Sequence, residues 1–349
     1  MMKKKLRVIE LFAGIGAPRK ALMRGGYNFE IVDAIEIDKY AVKSYNAMYD
    51  ENIETKDICA YKPTKEKVGE IDLLFHGSPC QDFSLAGKQA GGDKGSGTRS
   101  SLMYETIRIV GNLKPKYVVW ENVKNLLSKK HRHNFEAYLE TMTQLGYTNY
   151  YQVLNAKDYG IPQNRERVFT ISIRKDIDTS FVFLPKKELK LKLEDMLEDE
   201  VDEKYYLSDE QIEKIKFSTF HSENRRIQEK EYCDTLCARD WKAPKCVVAD
   251  YRYDEGLRIR KNSLSPCLTT KTGSSSLSSN TLLIKNNTNN LNIRRLTPKE
   301  SWRLMGFDDE DFEKAETVNS NTQLYKQAGN SIVVNVLEAI FDNLLQDYK

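Results

Sequence analysis

The sequence predicts an α/β domain, a mixed and mainly parallel sheet with helices on both faces, joined to a smaller, more irregular β-rich domain. Short apolar runs alternate with amphipathic stretches through the first half, the texture turns charge-dense and then polar after Pro185, and helical apolar spacing returns near the C-terminal end. Residues 8–12, 31–35, 71–75, 117–120 and 168–173 read as strands, with helix-like segments between them. In open sheets of this kind ligands sit beyond the carboxyl ends of the strands, so chemistry is to be sought there. Residues 186–204 carry a dense run of charge that reads as helical, and Ser- and Asn-rich sequence follows to about residue 292. Within that stretch, Asp234-Thr-Leu-Cys-Ala-Arg-Asp240 and Pro266-Cys-Leu-Thr-Thr-Lys-Thr272 form an imperfect echo. Two copies are too few for a solenoid and read as related strand-and-loop pieces of one small domain. Ile332, Val333, Val336, Ala339, Ile340 and Leu344 then give residues 330–345 a helical stripe that is expected to pack back on the first domain.

A chain of 349 residues can bury a full core without staples. No apolar stretch is long enough to cross a bilayer, which argues against a membrane role. Residues 1–5 are basic but run straight into Leu6, Val8, Ile9 and Leu11, a buried strand and not a signal segment, so a cytoplasmic protein is expected. The net charge is only +3, and any nucleic-acid surface must therefore be a local patch. Cys59, Cys80, Cys233, Cys237, Cys246 and Cys267 lack the paired spacing of a disulfide framework or zinc ribbon. Cys233, Cys237 and Cys246 with His221 offer donors for a metal, but indifferent thiols outweigh that reading and no metal is expected.

The first strand ends in Leu11-Phe-Ala-Gly-Ile-Gly-Ala-Pro18. Gly14 and Gly16 let backbone approach a ligand at a helix N-terminus, Pro18 suits a first helical turn, and Glu36 closes the next strand where a carboxylate can accept from ribose hydroxyls. Alone, this is equally a tight strand-to-helix turn. Arg19 stands where a dinucleotide fingerprint wants its third glycine, which, with no evident hydride-transfer constellation, argues against a nicotinamide dehydrogenase and for a nucleoside ligand lacking a pyrophosphate. Gly77-Ser-Pro-Cys-Gln-Asp-Phe-Ser84 follows the strand at 71–75 and puts Cys80 at the ligand edge as a nucleophile. Residues 85–102 hold Gly87, Gly91, Gly92, Gly95 and Gly97 with Lys88, Lys94 and Arg99, a basic lid over a polyanion or else a plain surface loop. Trp120-Glu-Asn-Val123 brings Glu121 to the same edge, where a carboxyl can share a proton with a ring nitrogen. Gln163, Arg165 and Arg167 alternate, so an extended segment would turn all three to one face and offer guanidinium forks to a phosphate or base carbonyl; charged residues on an exposed edge strand are the rival reading.

Together these residues resemble the C5-cytosine DNA methyltransferase family, over nearly the whole chain and in the family's motif order. Phe12-Ala-Gly-Ile-Gly16 resembles the methyl-donor loop, Pro79-Cys80 the nucleophile, Glu121-Asn-Val123 the acid motif and Gln163-x-Arg-x-Arg167 the substrate-positioning motif. Arg295-Leu-Thr-Pro-Lys-Glu-Ser-Trp-Arg-Leu-Met-Gly-Phe307 resembles the organiser of the small domain, and Gln327-Ala-Gly-Asn-Ser331 the last donor-binding element. Ala17 and Lys56 replace common glycines of the family, and neither change removes a side chain the chemistry needs.

The resemblance implies a Rossmann-like methyltransferase sheet and S-adenosylmethionine as cofactor, held by Phe12, Gly14, Gly16, Glu36, Asp57, Ile58, Pro79, Leu102, Asn330 and Ser331. A cap and helix dipole at the start of the last predicted helix would let Asn330 and Ser331 hold the methionine carboxylate. It implies Cys80, Glu121, Arg165 and Arg167 as catalytic residues acting on a cytosine flipped out of double-stranded DNA. It further implies a catalytic part at 1–178, a target-reading part at 179–317 and a C-terminal segment at 318–349 that returns to the first. Gln81, Ser84, Lys88, Arg99, Gln163, Thr235, Arg239, Lys242, Arg258, Arg260 and Lys271 are the expected DNA contacts. A monomer is expected, paired in function with a restriction endonuclease without a stable complex. A tRNA cytosine methyltransferase on the same fold and a DNA-binding protein that has lost catalysis are the alternatives.

Overall fold

A computed structural model of the chain describes residues 4–79, 95–177, 180–206, 208, 210 and 294–349, with backbone alone for Arg99 and for strands at 233–234, 248–252, 256–259, 282–287 and 290–293. By internal contacts the chain divides into two compact units. The first comprises Met1–Leu154, Glu166–Lys186 and Val334–Lys349, and the second Asn155–Arg165 and Lys187–Val333.

The first unit is a six-stranded mixed sheet flanked by helices. In chain order it contains β1 (Leu6–Leu11), α1 (Ala17–Arg24), β2 (Phe29–Ile35), α2 (Lys39–Tyr49), α3 (Lys65–Val68), β3 (Leu73–His76), α4 (Met103–Leu113), β4 (Tyr117–Val123), α5 (Arg132–Gln144), β5 (Tyr147–Asn155, whose last residue falls in the second unit) and β7 (Glu166–Arg174). The strand order is β2-β1-β3-β4-β7-β5. β1, β2, β3 and β4 run parallel, and β7 lies antiparallel to β4. β1, β3 and β4 are buried along nearly their whole length and read as apolar runs, whereas β2, at the edge of the sheet, is buried only at its carboxyl end. Ile9, Leu11, Leu74, Val118 and Trp120 meet Ile109, Val110, Leu113, Phe135 and Tyr138 of α4 and α5 in the core. Asp38 caps α2 by accepting from the Tyr40 amide at 3.0 Å, a bond that satisfies one orphan donor of the first turn.

β6 (Gln163–Asn164) opens the second unit and pairs in parallel with β8 (Cys233–Asp234). A four-stranded sheet follows, ordered β10-β9-β11-β12, from β9 (Val248–Arg252), β10 (Gly256–Ile259), β11 (Leu282–Asn287) and β12 (Asn290–Arg294). The unit closes with α6 (Pro298–Arg303), α7 (Asp309–Glu316) and α8 (Asn321–Asn330), and the chain ends in α9 (Val334–Leu344) of the first unit. Thr297 and Glu300 form a reciprocal capping box on α6. Glu300 is fully buried and forks onto Arg294 at 2.7 and 2.9 Å, so this buried charge is both paired and bonded.

The expected helix at 186–204 is absent. Leu189, Leu191 and Leu193 alternate there, an extended pattern, and only short 3-10 turns form at Leu193–Met196 and Glu203–Tyr205. The echo at 234–240 and 266–272 lies outside the described residues apart from the backbone of Asp234. The observed breaks at residues 154, 165, 186 and 333 fall at other places than 178 and 317, and the second unit also takes in residues 155–165. No helix among the described residues is long and apolar enough to cross a membrane.

Candidate active site

At the carboxyl end of β1 the chain turns sharply, with positive φ at Phe12 (55°), Gly14 (57°) and Gly16 (73°). The two glycines serve different ends. A Cβ on Gly14 would meet nothing nearer than the Phe12 carbonyl at 4.0 Å, so the space beside its backbone is open to a ligand. A Cβ on Gly16 would come within 2.6 Å of the Tyr49 ring and 2.8 Å of Tyr45, so there the protein itself uses the gap. Glu36, at the end of β2, accepts from the Gly14 amide at 2.8 Å through one oxygen and from the Ile37 and Asp38 amides at 2.9 and 2.8 Å through the other. Burial pushes its carboxyl up, and the three amides pull it back. The Glu36 carbonyl accepts from the Lys56 amide at 2.7 Å, which seats exposed Asp57 beside this turn. Ile58 is buried in the core, and its carbonyl accepts from the Tyr61 amide at 3.2 Å and from Arg108 at 3.3 Å. Phe12 and Leu102 are partly buried and pack against the same core.

Two residues here were missed by sequence reasoning. Glu10, fully buried within β1, accepts from the Arg19 amide at 2.9 Å and from the Tyr45 hydroxyl at 2.8 Å, seating the first turn of α1 behind the glycine turn. Burial pushes its carboxyl up to about 7, against the pull of Tyr45 and Arg19. A single carboxyl inside an apolar strand was the available signal. Ile37 is 68% exposed immediately after Glu36, a large apolar side chain left in solvent at the strand end.

From β3 the described chain continues through Gly77, Ser78 and Pro79, while Cys80, Gln81, Ser84 and Lys88 lie outside the described residues. Most of the expected lid at 85–102 does so too, and Arg99 is described by its backbone in a short 3-10 turn, Arg99–Leu102. Glu121 is nearly buried at the end of β4, with its Oε1 3.0 Å from Arg167 Nε. The strands explain the pairing, because Val123 faces Arg167 in register and Glu121 is the next residue on that face of β4. Asn122, on the other face, donates to the Ser78 carbonyl at 3.3 Å. The acid and the loop leading to Cys80 are thus held by neighbouring residues of one strand.

The expectation that Gln163, Arg165 and Arg167 share a face does not survive. β6 stops at Asn164 and β7 starts at Glu166, so the segment is not one strand. The Gln163 amide donates to the Leu304 carbonyl at 2.7 Å, at the C-terminal end of α6. Arg165 is 4% exposed and donates to the Gly329 and Ser331 carbonyls at 3.2 and 2.7 Å, at the end of α8. Both side chains satisfy helix-end carbonyls that lack intrahelical partners, and the cation suits the negative end of a helix dipole.

Residues 6–346 match the model of the C-5 cytosine-specific DNA methylase family. The chain belongs to that family. It is 34% identical to the type II methyltransferase M2.ScrFI of Lactococcus lactis subsp. cremoris, over 98% of this chain and 99% of that protein. It is 35% identical to the type II methyltransferase M.Bsp6I of Bacillus sp. (strain RFL6), over 97% and 98%. It is also 32% identical to the orphan methyltransferase M.SPRI of Bacillus phage SPR, over 99% and 98%. In fold it is similar to the S. pombe Dnmt2 methyltransferase, with a TM-score of 0.67 at 21% identity over 98% of both chains. The protein is a DNA cytosine-5 methyltransferase of the restriction-modification or phage-orphan type, and its family uses S-adenosylmethionine.

The residues at the ends of β1 and β2 fit that methyl donor. Open space at Gly14, a Glu36 carboxylate with lone pairs beyond its three amide bonds, and exposed Ile37 suit a nucleoside with a ribose and an apolar ring face. The dipole argument for Asn330 and Ser331 fails, however. Asn330 is the last residue of α8 and Ser331 its C-cap, the negative end of a helix, and α9 begins only at Val334. Their part in donor binding therefore rests on the family motif alone. Of the expected base readers in this methyltransferase, Thr235, Arg239, Lys242, Arg260 and Lys271 lie outside the described residues, and Arg258 is placed by backbone only, in β10. Cys237, Cys246 and His221 are likewise outside them, and Cys233 is placed by backbone only, in β8.

Proposed function

We propose that this methyltransferase acts on a cytosine flipped out of duplex DNA at one recognised sequence, through a covalent bond from Cys80 to C6 of the base. The end of β4 supports this most. It sets Glu121 beside Arg167 at 3.0 Å and, through Asn122, holds the turn that leads to Cys80. S-adenosylmethionine supplies an electrophilic methyl group on a sulfonium, and C5 of neutral cytosine is too weak a nucleophile to take it. The Cys80 thiolate adds to C6 while the Glu121 carboxyl provides a proton at N3, which makes C5 enamine-like. After methylation, loss of the C5 proton re-forms the double bond and expels the thiolate. Arg167 holds the Glu121 carboxyl in place and offers its remaining N–H groups to the base carbonyl. Glu36, Asp57, the Gly14 backbone and Ile37 hold the donor's ribose and base, and the family motif at Asn330 and Ser331 assigns these two residues to donor binding as well.

Residues 179–317 read the sequence through loops in the major groove, where all four base pairs are distinguishable. Flipping costs on the order of a few kcal/mol of unstacking, offset by contacts from residues 85–102. The enzyme works as a monomer and shields DNA from a partner endonuclease without binding it.

Methyl transfer to a random duplex library, read by bisulfite sequencing, tests this reading. Wild-type protein is expected to mark cytosines within one recurring sequence, and Glu121→Gln to lower the rate by about 10²-fold with DNA affinity retained. Marks without a shared sequence would reject the target-reading assignment. An equal loss of DNA affinity would make Glu121 structural.

A further inference from the structure

Strand alternation at the end of β4 points Glu121 one way and its neighbours Trp120 and Asn122 the other. Trp120 is 1% exposed and its indole N–H donates to the Ser78 hydroxyl at 2.9 Å. Its ring is fixed on two sides. His76, its register partner on β3, stacks almost parallel to it at 5.6 Å, and Tyr138 of α5 lies at 4.1 Å. His76 Nε2 and the Tyr138 hydroxyl are hydrogen-bonded at 3.1 Å, and burial pushes the His76 imidazole down to about 3, so this wall of the cluster is uncharged. Ser78 is therefore held at its hydroxyl by Trp120 and at its carbonyl by Asn122. Pro79 follows with a ring-fixed φ and no N–H, and the next residue in the sequence is Cys80.

We infer that Trp120 is a positioning residue for the nucleophile, its indole N–H fixing through Ser78 the point from which the chain delivers Cys80 toward C6. This rests on the assignment of Cys80 above. Consecutive Cα atoms are about 3.8 Å apart across a trans peptide, so a shift at Ser78 passes to Cys80 through a single proline. Misplacement of a reacting group by about 1 Å can cost on the order of 10²-fold in rate. Trp120 thus couples the place of the attacking sulfur to the strand that carries the proton donor, and acts through Ser78 without touching substrate.

The test compares Trp120→Phe, which removes the N–H and keeps a ring to stack on His76, with Ser78→Ala, which removes the acceptor and leaves the ring intact, and with the double variant. The readout is the single-turnover rate of covalent adduct formation with a 5-fluorocytosine duplex at saturating donor, alongside donor and DNA affinities. Each single variant is expected to slow adduct formation about tenfold with both affinities retained, and the double variant to be no slower than the slower single. Wild-type rates in either single variant, additive losses in the double, or a parallel loss of donor affinity would each overturn the inference. Mapping the wild-type adduct separates the two claims. An adduct on another cysteine removes the assignment of Cys80, whereas an adduct on Cys80 with unaffected variants removes only the role of Trp120.

Discussion

Cys80→Ser is expected to abolish methyl transfer, by at least about 10³-fold, while donor affinity stays within about twofold of wild type. A serine hydroxyl is far less ionised than a thiol at neutral pH and a far weaker nucleophile toward C6. The donor-binding residues at the ends of β1 and β2 are not altered by the exchange, which is why binding should survive. Isothermal titration with S-adenosylmethionine and tritium transfer to duplex DNA measure the two quantities separately. Retention of more than a few per cent of turnover would exclude covalent activation. Cys59 is a poor substitute nucleophile. It is exposed, but desolvation and the neighbouring Asp57 carboxylate push its thiol up and keep it protonated.

The second large effect is expected from removing residues 330–349. α9 buries Val334, Val336, Leu337, Ala339, Ile340, Phe341 and Leu344, and packs beside α1, where Arg24 pairs with Glu338 at 2.8 Å. Beyond the helix, the Tyr348 hydroxyl donates to Asp72 at 2.9 Å, tying the chain end to the turn before β3. At about 1.5–3 kcal/mol for each fully buried large apolar side chain, the loss reaches about 10 kcal/mol, comparable to the roughly 5–15 kcal/mol that stabilises a typical domain. The truncated chain is expected to lose its cooperative melt and all activity. A melting transition within a few degrees of wild type would show that the C-terminal helix is dispensable.

β1, β3 and β4 were legible because they are buried along nearly their whole length, and β2 because its carboxyl end is buried, so their apolar runs led directly to Gly14, Ser78, Glu121 and Glu36 at the strand ends. β5 was not legible. It lies at one end of the strand order, and Thr148, Tyr151 and Gln152 face solvent there, diluting the apolar signal. The alternation of Gln163, Arg165 and Arg167 was real in sequence but misleading in space. Only the tertiary partners, the carbonyls of Leu304, Gly329 and Ser331, decide where the first two point. The same limit applies at Asn330. Its neighbours fit a helical stripe equally well as the end of one helix or the start of the next, and the sequence has no glycine or proline at residues 331–334 to mark the break.

The central claim, that Cys80 attacks C6, is tested most directly with a duplex carrying 5-fluorocytosine at the methylated position. The thiolate adds and the methyl group transfers, but resolution needs a proton to leave C5, and fluorine cannot leave as a cation. Wild-type protein with S-adenosylmethionine is expected to form a complex that survives denaturation, with DNA attached to the peptide spanning residues 77–84, and Cys80→Ser to form none. Turnover without an adduct, or an adduct on Cys59, Cys233, Cys237, Cys246 or Cys267, would contradict the account.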